Sequence, residues 1–267
     1  MTADAMPDEG ELTAAGLRLD ADGSVLTIWL ARPGVRNAQT PAMWRALARI
    51  GAAVPPGVRV VVLRGEGASF SAGLDRAMFE PGAISGDPGL VSLAQGSDSE
   101  LDDAIARYQE AFTWWRSPAF VSVAVVQGHA VGAGFQLALA CDLRILADDA
   151  QLSMRETALG LVPDLGGTQP LVQAVGYGRA LEICATGRWV SATEAAQVGL
   201  ANIVVPVASL DATAADLVEA LAAPAHGAVT ALKGLLLAAG ERSYGDQLAA
   251  ERTTQAGLLR DLVRALE

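Results

Sequence analysis

GAGFQLALACDLRILADDAQLSMRETALGLVPDLGG, residues Gly132–Gly167, is the stretch whose reading decides the fold. A glycine-rich turn opens an alanine- and leucine-rich run of helical character, and LRILA follows from Leu143, bounded by Asp142 and Asp148. Short apolar runs flanked by turn residues read as buried strands. Working outward, the same kind of run recurs as LTIWLA from Leu26, VRVVVLRG from Val58, VSVAVVQG from Val121 and NIVVP from Asn202, with alanine-rich helical stretches between most of them. This alternation predicts an α/β fold with buried strands. In SATEAAQVG, Ser191 and Glu194 have capping-box spacing and Gly199 supplies a stop, which predicts a short helix. From about Leu210 the pattern is helical only, so a boundary falls near Pro206. We expect a core over residues 16–206, a helical region over 207–267 and a disordered lead over 1–15. The Gly-, Ser- and Asp-rich stretch from Pro81 to Leu101 reads as a long mobile loop.

At 267 residues the chain can bury one substantial core. Its net charge of −11 argues against nucleic acid as a general partner, since a phosphate backbone calls for a basic surface. Apolar runs stop short of the roughly 20 residues that a membrane span needs. The acidic N-terminus MTADAMPDEGEL does not resemble a signal peptide, and we expect a cytoplasmic protein. Cys141 and Cys184 are the only cysteines and lie in no CxxC or Cys/His cluster, so they read as structural, and no metal site is suggested.

Two glycine-rich turns each follow a buried strand: GEGASFSAGLD, Gly65–Asp75, and QGHAVGAGFQ, Gln127–Gln136. Small residues there leave backbone N–H groups pointing outward, and the second turn opens a helix whose first N–H groups are free. Two convergent donors of this kind form an oxyanion hole. A Rossmann dinucleotide site does not fit, because the spacing of Gly128, Gly132 and Gly134 is not GxGxxG. His129 and His226 are the only histidines; no Ser or Cys partner motif supports a hydrolytic triad, and His129 in GHAVGAG reads as a packed residue.

Taken together, RPGVRNA from Arg32, FSAGLD, GHAVGAG, ACDLRILADDAQL, ETALGLVP, GGTQ and TGRWVSATEAAQVGLANIVVP resemble the crotonase superfamily, the enoyl-CoA hydratases and isomerases, over Arg32 to about Lys233. The resemblance implies a spiral of ββα repeats with a C-terminal helical part, a homotrimer or dimer of trimers, and an acyl-CoA thioester as ligand. Coenzyme A then belongs to the substrate and no further cofactor is expected. By position, the oxyanion donors are the backbone N–H groups of Leu74 and Ala133, set in turns that include Gly73 and Gly132. Ala72 matches the backbone that contacts adenine. Arg36 and Lys233 fall near the CoA phosphates, with solvated surface charge as the competing reading. Asp75 and Asp142 read as turn or cap residues, although Asp75 also lies in the ligand-binding turn.

In this family hydration uses two glutamates, and their positions here are Gln136 and Glu156, 20 residues apart. Gln136 can orient a water but cannot take its proton. Glu156 matches the single catalytic glutamate of the Δ3,Δ2-enoyl-CoA isomerases. Asp164, eight residues on, matches an aspartate of the dienoyl-CoA isomerases, which also carry an acid where Gln136 stands. As a loop residue Asp164 would instead cap the helix near Thr168. Should both acids face one apolar pocket, repulsion and desolvation raise at least one pKa. The pattern favours double-bond isomerisation by Glu156 with Asp164. A hydratase and a non-catalytic acyl-CoA-binding protein are the alternatives. Met78, Phe79, Trp114 and Trp115 are candidates for shaping the acyl pocket, the two tryptophans with core packing as the first reading.

Overall fold

A computed structural model describes residues 5–80, 83–84 and 86–266. The chain begins with α1 (Glu9–Ala15), β1 (Leu17–Asp22), β2 (Val25–Leu30), α2 (Pro41–Ala52) and β3 (Val60–Gly65). A small hairpin, β4 (Ala83–Ile84) with β5 (Asp87–Pro88), leads through α3 (Leu90–Leu93) to α4 (Asp98–Thr113). Next come β6 (Val121–Val126), β7 (His129–Val131), α5 (Ala133–Ala140), β8 (Leu143–Ala147) and β9 (Gln151–Ser153). The core closes with α6 (Thr168–Val175), α7 (Tyr177–Thr186), β10 (Val190–Ser191), α8 (Ala192–Gln197) and β11 (Ile203–Val205). Beyond Val205 the described chain is helical: α9 (Leu210–Ala222), α10 (His226–Ala238) and α11 (Tyr244–Leu266).

Six strands form one sheet in the order β1-β2-β3-β6-β8-β11, parallel except for the β1–β2 pair. A sheet covered on both faces needs mostly apolar strands, which is why β3 and β6 read as valine-rich runs with Arg64 and Ser122 as their polar members. Val61, Leu63, Ala124 and Val126 point into the main core, and the alternate residues Val60, Val62, Val123 and Val125 pack beneath Leu210 and Ala214 of α9. A second, three-stranded sheet, β10-β9-β7, carries the continuation of β6 and β8. Each turn of the spiral therefore runs from the large sheet to the small one and then into a helix or turn.

That small layer sets the register of the site. Ser71 pairs in parallel with Ala130, and Ala130 pairs in parallel with Leu152. Leu74 and Ala133 each lie three residues beyond these paired positions, so successive turns of the spiral present them at the same level.

Two expectations are corrected here. The lead was expected to be disordered over residues 1–15, but α1 is a helix with a reciprocal capping box between Asp8 and Glu11. Glu11 also pairs with Arg49 of α2 and Leu12 is buried, so apolar contact and charge hold this segment on the body. Residues 1–4 of that lead lie outside the described part. Pro81–Leu101, expected to be a mobile loop, contains the hairpin, α3 and the start of α4, where Ser97 and Glu100 form another capping box. Both boxes are present in the sequence as D-x-x-E and S-x-x-E. The helix expected in SATEAAQVG is α8, with Ser191 as its cap.

Lys233 is a third correction. It is 8% exposed on α10, with Nζ donating to Phe120 O at 2.7 Å and paired with Asp142 Oδ2 at 2.6 Å. Asp142 follows the C-terminal end of α5 and also accepts from the Ser122 N–H and hydroxyl, so Lys233 joins the helical region to the sheet at the end of α5 remote from Ala133. A lysine that closes a buried charge network is not available to a phosphate. Removing one partner of such a pair leaves the other charge uncompensated. Lys233→Met is expected to cost about 3 kcal/mol or more of stability, measured by urea unfolding.

Candidate active site

The two glycine-rich turns meet at Gly73. It has φ +84°, and a Cβ there would lie 2.4 Å from Val131 O and 3.5 Å from Ala133 N, so only glycine lets the turns close to this distance. Ser71 Oγ receives the Gly73 N–H, while Gly73 O receives the Gln39 N–H. Neither the Leu74 N–H nor the Ala133 N–H donates to an acceptor among the described residues. Ala133 is the first residue of α5, so its free N–H sits at the positive end of the helix dipole.

Glu156 enters from the next layer, at the start of a 3-10 turn that follows β9. Gly132, with φ +51°, leaves room for it: a Cβ there would lie 3.3 Å from Glu156 Oε1. The carboxylate thus lies against the turn that carries Ala133. Glu156 Oε2 is buried with no hydrogen-bond partner among the described residues. Loss of hydration raises the Glu156 pKa above the ordinary carboxylate value, the hydrogen bond from Gln136 opposes this, and the charge of Asp164 adds to it.

Asp164 therefore shares an electrostatic environment with Glu156. Protein crowding raises its own pKa, although the residue keeps an open solvent face that limits the effect. It caps no helix: α6 begins after Gly167 without a side-chain cap. Instead the Asp164 carbonyl is held by Gln109 Nε2 of α4 at 2.6 Å. Gln109 carries no recognisable sequence signal, because its partner lies 55 residues away.

Gln136 lies between Glu156 and the loop that follows Asp164. It is 1% exposed; its Nε2 donates to Glu156 Oε1 at 2.7 Å, and its Oε1 accepts from Leu165 N at 3.0 Å and Gly167 N at 3.3 Å. Protein groups occupy both ends of the amide.

The remaining candidates divide by location. Arg36 is exposed in a left-handed turn with no ion pair among the described residues, and its carbonyl accepts the Ala72 N–H at 2.8 Å, which ties that turn to the first donor turn. Asp75 caps the short turn at Ala77 through Oδ1 and pairs with Arg32 through Oδ2, so both oxygens have structural partners. Met78 and Trp115 are fully buried in the core, and Trp114 stacks on Trp115 at 4.0 Å, whereas Phe79 is exposed. His129 packs edge-on against Trp189, and His226 Nε2 lies 2.8 Å from Ala119 O. Cys141 is buried and Cys184 half-buried, both with free thiols.

The sequence model of the enoyl-CoA hydratase/isomerase family matches residues 20–263. A structure described as "a putative enoyl-CoA hydratase from Thermobifida fusca YX in complex with acetoacetyl-CoA" is 52% identical, covers 96% of this chain and 100% of its own, and superposes with a TM-score of 0.94. The Delta(3,5)-Delta(2,4)-dienoyl-CoA isomerase, peroxisomal, of Arabidopsis thaliana is 30% identical over 95% of this chain and 92% of its own length. A "Probable enoyl-CoA hydratase" of Bacillus subtilis is 37% identical over 55% of this chain, and the chain spans about half, 52%, of that relative. Because the family match runs through both donor turns and through Gln136, Glu156 and Asp164, the chain belongs to the enoyl-CoA hydratase/isomerase family.

Proposed function

We propose that the protein shifts a carbon–carbon double bond of an enoyl- or dienoyl-CoA through an enolate held between the Leu74 and Ala133 N–H groups. The observation that carries this reading is Glu156, whose Oε2 is buried and unpartnered among the described residues while Oε1 is fixed by Gln136. One free basic oxygen beside an oxyanion hole suits proton removal from carbon. Oε2 takes the proton next to the unsaturation, and the C–H electron pair flows into an extended enolate. The thioester oxygen bears the charge and accepts from the two N–H groups, which stabilise it as it forms. The same proton, or one relayed through Asp164, is then delivered to the distal carbon, so nothing is gained or lost overall.

Hydration is the second reading, favoured by relatives named as hydratases. It requires two groups that activate the water, and Gln136, with its carbonyl oxygen and one N–H bound by protein, offers no base. Arg36, as an exposed cation beside the first donor turn, offers a contact for CoA phosphates, with the Ala72 backbone next to it for adenine. We read the assembly as a homotrimer or a dimer of trimers, supported by α11, which has no buried residue and exposes Leu259, Leu262 and Leu266.

The purified protein, incubated with 3-enoyl-CoA, 3,5-dienoyl-CoA and 2-enoyl-CoA, is expected to yield positional isomers. Rapid hydration without isomerisation overturns this reading, and tight thioester binding without turnover assigns a binding role instead. Asp164→Asn is expected to slow 3,5-dienoyl-CoA isomerisation by about 10²-fold and 3-enoyl-CoA isomerisation by less, since the longer proton relay needs the second acid.

A further inference from the structure

We infer that Gln136 is a positioning residue: its amide makes Glu156 a one-ended base and ties that base to the loop carrying Asp164. This rests on the proposed proton-transfer role of Glu156.

The position needs a donor on one side and an acceptor on the other. Toward Glu156 the Nε2 group donates at 2.7 Å, and toward the 164 loop the Oε1 atom accepts two backbone N–H groups at 3.0 and 3.3 Å. An amide meets both demands with one side chain and without binding or losing a proton of its own. A glutamate here would still accept from Leu165 and Gly167, but would set a second carboxylate oxygen against Glu156 Oε1. Two carboxylates at that separation do not both ionise. An apolar side chain would leave the two loop N–H groups without their acceptor in a buried place. The amide thereby fixes which oxygen of Glu156 reacts and spaces Asp164 from it.

Gln136→Glu and the near-isosteric Gln136→Met provide the test, with thermal melts to establish that each is folded. Two quantities are compared with the native protein: the pH profile of kcat/KM for isomerisation, and the Glu156 carboxylate titration in substrate-free protein. The second is read by infrared difference spectroscopy, the band being assigned by its loss in Glu156→Gln. Gln136→Met removes a donor that favours the ionised form and Gln136→Glu sets a second acid against it, so the Glu156 midpoint is expected to move up in both, further in Gln136→Glu. The value of kcat at pH 7 is expected to fall about 10-fold or more with KM changed less than about 3-fold, the pattern of an interaction that acts on the chemical step. An unmoved midpoint in the folded variants overturns the inference. A shifted midpoint in a protein that isomerises none of the three thioesters upholds the positioning role and rejects the proposed reaction.

Discussion

Glu156→Gln is expected to lower the rate of double-bond migration by about 10²–10⁴-fold, the range that general acid–base groups supply. The replacement can still accept from Gln136 Nε2, so the loop and donor turns stay in place while the basic oxygen is lost. The same change is expected to stabilise the protein at neutral pH. Burial raises the pKa of Glu156 above its ordinary value of 4.5. Between the unfolded and folded values the native state binds the proton more tightly than the unfolded chain does. Stability therefore declines as pH rises through that window and stays lower above it. An uncharged glutamine removes this penalty. A gain in melting temperature is expected at pH 8 and should shrink as pH falls towards 4.5. An unchanged rate, or a gain that grows on acidification, contradicts the assignment. A carboxylate kept dehydrated for chemistry is one form of the trade between activity and stability.

The second large effect is expected at Gly73→Ala. An L-residue at φ +84° costs about 1–2 kcal/mol. Its methyl would also lie 2.4 Å from Val131 O, a contact with backbone and not with a side chain that can turn away. Val131 cannot retreat freely, since its N–H donates to Ser71 O at 3.0 Å and the next N–H, of Gly132, donates to Ser153 O at 2.8 Å. The two turns must separate, and with them the Leu74 and Ala133 N–H groups. We expect a loss of about 3 kcal/mol or more of stability, within the range for strain combined with overpacking. Activity in the remaining folded protein is expected to fall about 10²–10³-fold, as for removal of one oxyanion donor. Urea unfolding and single-turnover rates measure the two effects separately, and native-like values in both would show that the turns do not need this approach.

Much of the fold was legible in the chain because burial on both faces of a parallel sheet writes itself as nearly continuous apolar runs. VRVVVLRG, VSVAVVQG, LRILA and NIVVP each contain a strand of the large sheet. The α1 helix and the start of α4 read as disordered or loop despite their capping boxes, since acidic and polar composition outweighs two short local signals. Lys233 was misplaced for another reason. A lone lysine on an otherwise apolar helix looks alike whether it meets a phosphate or a buried carboxylate, and its partner Asp142 lies 91 residues away.

The sequence by itself determined the strand and helix alternation, the two glycine-rich turns, the spacing of Gln136, Glu156 and Asp164, and hence the family. These are local matters, set by residue type and interval. Only the tertiary structure decided which of those groups are free and which are occupied. The parallel pairing of Ser71 with Ala130 brings Leu74 and Ala133 to one level, and the loop around Leu165 folds back to take up the Gln136 carbonyl. Hydrogen-bond saturation depends on partners remote in sequence, and at this site it separates the fixed oxygen of Glu156 from the free one.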